Sequence, residues 1–233
     1  MGDKTRMEML SRNEAAFIRP SPSSGTLGGV ARRTREVMLL AEAAGFDVVI
    51  VETVGVGQSE TAVADLVDMF ILLLLPAGGD ELQGVKRGVA ELADLMVVNK
   101  ADGDLKATAK RTASDYAHAL RMLRAADARW TPRVQTCSAL EGHGIDAVWK
   151  AVEEFRAALG AKGIAERRAA QARAWMWQEI GETLLAQLRA HEGVRKRLAD
   201  LERAVTSGKT TPTQAAGELL RLFSGQALGQ RAP

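Results

Sequence analysis

Asn99-Lys100-Ala101-Asp102 closes a run of apolar residues, Leu95 to Val98, and brings an amide, an ammonium and a carboxylate into one tetrapeptide. A carboxylate in such a loop can accept from both the N1–H and the 2-amino group of guanine. Adenine presents an acceptor at N1 and has no 2-amino group, so the same carboxylate would be left unpaired. Stranding a buried polar group in this way is an effective route to rejecting a ligand. Asp102 is therefore the candidate base-reading acid. Lys100 can lay its aliphatic stem over the base plane, and Asn99 can tie neighbouring loops together. Asn and Asp also suit ordinary turns and caps, but here they follow a buried-strand pattern and come after a candidate phosphate sensor.

That sensor is Glu52-Thr53-Val54-Gly55-Val56-Gly57-Gln58-Ser59, which leaves another apolar run with an acid and then glycines. Glu52 can hold Mg²⁺ through a water, the usual style of a magnesium site built on substrate phosphates. The N–H of Gly55 can approach a γ-phosphate closely because no Cβ intervenes. Gln58 is a candidate for orienting an attacking water, although it does not directly follow Gly55. A second base contact is expected from Ser138-Ala139, beyond Arg133 to Thr136, where a backbone N–H can meet guanine O6. Cys137 reads as a small packing residue rather than a nucleophile, since no activating partner can be argued for it.

No G-x-x-x-x-G-K-[ST] loop precedes these segments, although that loop normally holds the phosphates. Ser207-Gly208-Lys209-Thr210 imitates its end, but Arg203 stands where its first glycine would be, and Pro212 follows. It reads as a helix-to-helix turn. His118, His143 and His191 are scattered without ligand spacing, so no metal site built by the protein alone is expected.

Elements must place these loops. Phe46 to Val51, Met69 to Leu75 and Leu95 to Val98 are continuous apolar runs, the pattern of strands covered on both faces, and Arg133 to Thr136 is a weaker fourth. Helices are expected over Gly29 to Ala44 (with Gly45 as C-cap), Glu60 to Val67, Gln83 to Leu92 and Leu105 to Leu123. The alternation implies right-handed crossovers and a largely parallel sheet, whose ligands bind beyond the carboxyl ends of the strands. Ile145, Val148, Trp149, Val152 and Phe155 mark an amphipathic helix. After Gly160 the strand pattern disappears. Trp177, Ile180, Leu184, Leu185 and Leu188 form another stripe, and Val194 to Val205 and Pro212 to Phe223 are further helices. This tail suits either dimerisation or folding back onto the core.

Composition supports a globular chain, with 46% apolar residues among 233. The 31 basic and 29 acidic residues nearly cancel, which gives no argument for nucleic acid or an anionic membrane as partner. The run from Met69 to Leu75 is far too short to cross a bilayer, and no apolar leader follows Gly2-Asp3-Lys4-Thr5-Arg6. One cysteine suits a reducing compartment, and a cytoplasmic location is expected.

Together the motifs resemble those of the MeaB/ArgK-type GTPases, the methylmalonyl-CoA mutase-associated family. The likeness runs through Gly2 to Met7, Phe17 to Gly29, Val51 to Glu60, Asp80 to Gly88, Asn99 to Asp102 and the Trp-rich tail. The resemblance implies an α/β fold: a parallel-sheet P-loop GTPase core over residues 1–159 and an all-α dimerisation arm over 160–233. It implies a GTP- and Mg²⁺-dependent chaperone of an adenosylcobalamin-dependent acyl-CoA mutase, acting as a homodimer. Asp3 and Glu52 would lie around Mg²⁺, Asn99, Lys100 and Asp102 would read guanine, and Gln83 to Gly88 with Lys86 would couple the mutase to hydrolysis. Family members carry a strand and the phosphate loop ahead of Gly2-Asp3-Lys4, where this chain has only Met1. The expectation is therefore a shortened form lacking the first strand, with impaired nucleotide binding. Two other readings stay open: a non-hydrolysing interaction module, and a lysine, arginine and ornithine transport-system ATPase or kinase by older family naming.

Overall fold

The computed structural model describes residues 7–20, 27–53, 59–76, 87–121 and 127–225. It divides into two compact units, Met1–Gln171 and Ala172–Pro233.

In the first unit, helix α1 (Leu27–Ala43) ends where Gly45 N–H bonds Glu42 O and Phe46 N–H reaches back to Ala41 O. This is the double bond of a Schellman stop, at the glycine that the sequence marks as the cap. Then come α2 (Ser59–Ala64), β1 (Ile71–Leu74), α3 (Arg87–Leu92), β2 (Leu95–Val98), a short 3₁₀ turn (Gly103–Leu105), α4 (Lys106–Leu120) and β3 (Arg133–Thr136). The sheet order is β1-β2-β3 and both pairings are parallel, with Leu95 opposite Ile71 on one side and Arg133 on the other.

All four residues of β2 are at most 1% exposed. Successive side chains point to opposite faces. Met96 joins Phe70, Val89 and Ala93, with Tyr116 and Leu120 of α4 packed against them. Leu95 and Val97 join Cys137 and Ala151, with Val148 and Ile71 against them. Ala151 belongs to α5 (Ile145–Ala190), whose regular geometry breaks at Gly160, with φ 61° and ψ 176°. That backbone combination is close to glycine-only.

One expected strand is corrected. Phe46 to Val51 is irregular and pairs with no strand among the described residues; Val48 is 51% and Ile50 85% exposed. A β-branched run becomes a strand only where a neighbour supplies ladder partners and cover, and its composition alone cannot provide either. Glu52 therefore leaves an irregular segment rather than a strand end.

At the amino ends of β1 and β2 sits a polar hub. Asp94, 4% exposed, accepts the Phe70 N–H at 2.8 Å and takes the Arg167 guanidinium on both oxygens, at 3.3 and 3.0 Å. Its carbonyl accepts the Trp130 indole N–H at 2.8 Å. Trp130 in turn meets Phe155 edge to face, with ring centroids 5.4 Å apart. Past the break, α5 is held by Arg168 on Asp68 and by Gln171 on Val67 O, at 2.9 Å for the latter. These bonds carry the first unit beyond Gly160 as far as Gln171.

In the second unit, α6 (Glu192–Thr206) packs on α7 (Pro212–Ser224), burying Val194, Leu201 and Ala215, and Arg197 bonds Glu218 at 2.7 Å. Ser207 to Thr210 forms the turn between them, as the sequence suggests. Ser207 Oγ bonds Arg203 O, Lys209 N–H bonds Ala204 O, and Thr211 caps α7 with Gln214 in a reciprocal capping box. The residues 172–190 of α5 carry Met176, Trp177, Ile180, Leu184 and Leu185 at 39–65% exposure, an uncovered apolar stripe.

Removing one member of a buried ion pair leaves an uncompensated charge. Arg167→Ala is expected to lower stability by about 3 kcal/mol, read as the shift in a urea unfolding curve. A second expectation concerns Asp127. Hydrogen bonds from the Arg129 side chain, then from its backbone N–H, pull the Asp127 carboxyl down to about 2 from 3.8. A lowered folded-state value stabilises the protein above the unfolded value, and the benefit is lost as pH falls through the folded one. The difference in stability between the native protein and Asp127→Asn should therefore be constant above about pH 5 and shrink as pH falls through 3.8 toward about 2. Denaturant titrations across that range check it.

Candidate functional site

The carboxyl ends of β2 and β3 emerge side by side, because the strands are parallel and paired in register. Bonding continues past the strands: Asn99 N–H reaches Leu74 O, Cys137 N–H reaches Val98 O and Ala101 N–H reaches Cys137 O, each at 2.9 Å. Between these fixed points the chain turns at Lys100, which has φ 58°. A left-handed conformation is uncommon for a residue with a side chain and persists where its surroundings determine it.

The surroundings here are a clasp centred on Asn99. Its Oδ1 accepts from the N–H of Lys100 at 2.7 Å, the N–H of Ala139 at 3.0 Å and the thiol of Cys137 at 3.6 Å. With Oδ1 taken by donors, the carboxamide's Nδ2 is left as its outward group. The second contact joins the same two loops. Ser138, 1% exposed, donates its hydroxyl to Asp102 Oδ2 and accepts the Glu141 N–H at 3.0 Å. Among the described residues Asp102 Oδ1 accepts no hydrogen bond. A donor amide and an acceptor oxygen thus stand on one loop, each held from behind by β3's loop. That pair can meet a base that offers both an acceptor and two adjacent donors, as guanine does.

The loop after Ser138 is shaped by Gly144, at φ 78°; a Cβ there would lie 2.6 Å from Thr136 O. This close return lets Ser138 N–H bond His143 O at 2.9 Å. Asp102 opens the 3₁₀ turn that leads into α4, and its carbonyl accepts the Leu105 N–H at 3.0 Å.

Asn99, Lys100, Asp102, Ser138 and Ala139 are therefore brought together, as their sequence positions suggest. One detail differs. Of the two N–H groups in Ser138-Ala139, from which a contact to guanine O6 is expected, that of Ala139 is engaged by Asn99 Oδ1 and that of Ser138 by His143 O, so a base oxygen would have to share one of them. Cys137 proves to be more than filler. Its thiol joins the clasp while burial pushes its pKa up, which keeps it protonated and makes it a poor nucleophile. Glu141 and His143 support Ser138 only through backbone atoms, which no side-chain pattern reveals. Glu52 is exposed. Asp3, Gly55, Gln58 and Lys86 lie outside the described residues. Among the described residues no three His, Cys, Asp or Glu side chains group as a metal site.

Known proteins are similar to this chain over most of its length. The family model for methylmalonyl Co-A mutase-associated GTPase MeaB matches residues 1–193. The mouse protein methylmalonic aciduria type A homolog, mitochondrial, is 50% identical over 227 residues, which cover 97% of this chain and 55% of that protein. Escherichia coli GTPase ArgK is 48% identical over 227 residues, covering 97% of this chain and 69% of its own length. The chain thus spans between about half and two thirds of these relatives. The crystal structure of a LAO/AO transport system kinase superposes with a TM-score of 0.76 at 44% identity, over 92% of this chain and 68% of that one. With one family model spanning most of its length, and a parallel α/β fold shared with that crystal structure, the chain belongs to the MeaB family of methylmalonyl Co-A mutase-associated GTPases.

Proposed function

We propose that this chain provides the guanine-reading part of a GTP-hydrolysing chaperone for an adenosylcobalamin-dependent acyl-CoA mutase, gating cofactor loading and protecting the mutase. The observation that carries the nucleotide half of this reading is the clasp, which leaves Asp102 Oδ1 and the Asn99 amide available from one rigid loop. The mutase half rests on family membership. Asn99, Lys100, Asp102, Ser138 and Ala139 would hold the base.

A magnesium ion travelling with the triphosphate needs only one or two protein carboxylates. That role is assigned to Glu52 and Asp3, and Mg²⁺ would neutralise charge on the phosphates. Gly55 would meet the γ-phosphate, Gln58 would orient water, and Lys86 with its neighbours would answer to the mutase. Among the described residues no helix is long and apolar enough to cross a membrane. A cytoplasmic site of action is proposed, although the mouse relative's name places that protein in mitochondria.

A second reading comes from the name of the similar crystal structure, a transport system kinase. A kinase of that kind would be expected to prefer ATP, whereas adenine would strand Asp102. Competition between GTP and ATP for the full chain, read by saturation-transfer NMR so that weak binding is visible, decides between them. GTP should win, and an ATP preference would overturn the guanine reading. Asp102→Asn exchanges an acceptor for a donor. It should weaken GTP by about tenfold or more and favour the xanthine nucleotide, whose C2 carbonyl accepts.

The exposed stripe of Trp177, Ile180 and Leu184 is proposed as the homodimer contact. Sedimentation of the native chain should show a dimer, and Trp177→Glu with Ile180→Glu should give a monomer with unchanged helix content.

A further inference from the structure

We propose that Cys137 is a positioning residue for base selection: its thiol, donating to Asn99 Oδ1, holds the Asn99 carboxamide with Nδ2 turned out of the clasp toward the base. The inference rests on the guanine reading above and adds a residue to it.

Cys137 is attached to the base-reading loop at three successive points. Its N–H bonds Val98 O and its carbonyl accepts the Ala101 N–H, both at 2.9 Å, while Sγ lies 3.6 Å from Asn99 Oδ1. The bonds bracket Lys100, whose left-handed backbone needs support from both sides. They also decide which way the amide faces. Were the Asn99 carboxamide flipped, its NH₂ would confront three donors: the Lys100 N–H, the Ala139 N–H and the thiol. The two backbone N–H groups oppose the flip from the main chain of the two loops, and the thiol adds a third donor from a buried side chain, where Cys137 is 6% exposed. Burial keeps the thiol protonated and able to donate.

Asn99 and Asp102 are thus held by consecutive residues of one loop, Cys137 and Ser138, acting through a thiol and a hydroxyl. Loss of the thiol proton donor should loosen the Asn99 end alone. The consequence is a change in which base is preferred, not in how tightly the rest of a nucleotide is held.

The test compares Cys137→Val, which puts a methyl group in place of the donor and adds one more, with Cys137→Ser, which keeps a donor. GTP and ATP affinities are measured by competition for each variant of the 233-residue chain. Cys137→Val should lower the guanine-over-adenine ratio by about threefold to tenfold with ATP affinity unchanged, and Cys137→Ser should retain the ratio. A retained ratio in Cys137→Val overturns the inference while leaving the guanine reading intact. Absence of guanine preference in the native chain overturns both. If Cys137→Val does not fold, the infrared S–H band decides, because this is the only cysteine in the chain. The band should sit at lower frequency in the native protein than in the unfolded chain, and coincidence of the two overturns the inference.

Discussion

The two-sided burial of β2 is the constraint on which the remaining structure depends. A one-residue slip would draw Asp94 or Asn99 into this two-sided apolar core and break the hydrogen bonds they make, so the polar residues flanking the strand pin its register. Its Leu95-Met96-Val97-Val98 run fills both layers with apolar groups of similar bulk. Fixing that register fixes both strand ends. One end is Asp94, which gathers Phe70, Trp130 and Arg167; the other is Asn99, which gathers Lys100, Cys137 and Ala139. A buried ion pair and the proposed base-reading clasp thus lie at opposite ends of one short element, so a change in either hub acts on the same strand.

Much of this was legible in the sequence because it is local. The runs Leu95 to Val98 and Arg133 to Thr136 match their strands residue for residue, the first as a continuous apolar run buried on both faces and the second as a weaker, partly exposed edge strand. Gly45 marked the end of α1 because a Schellman stop needs only a few consecutive residues. The position of the Asn99 to Asp102 loop at the end of β2 was legible for the same reason. Its carboxylate, amide and ammonium are adjacent in the chain, and the apolar run before it places it at a strand end.

What was not legible depends on distance along the chain. Asp94 and Arg167 are 73 residues apart, and Trp130 lies 36 from Asp94, so no periodicity links them. Phe46 to Val51 has the composition of a covered strand, yet cover is supplied by other elements and not by the run itself. The bond from the Cys137 thiol to Asn99 was not legible because a buried thiol looks the same in sequence whether or not an acceptor lies beside it. The orientation of the Ala139 N–H likewise follows from the Asn99 amide 40 residues away.

That separation also bears on how the molecule assembles. Parallel strands cannot close through a tight hairpin, and contacts distant in sequence must overcome loop-closure entropy before they stabilise anything. The Asn99–Ala139 bond spans 40 residues and needs β2, α4 and β3 to be in place, whereas α6 and α7 pack through bonds such as Arg197–Glu218 that span only 21. The helical hairpin belongs to the fast, local part of folding and the clasp to the slow, non-local part. The clasp between the Asn99 and Ala139 loops is therefore a late contact, and its formation marks that the sheet has been completed.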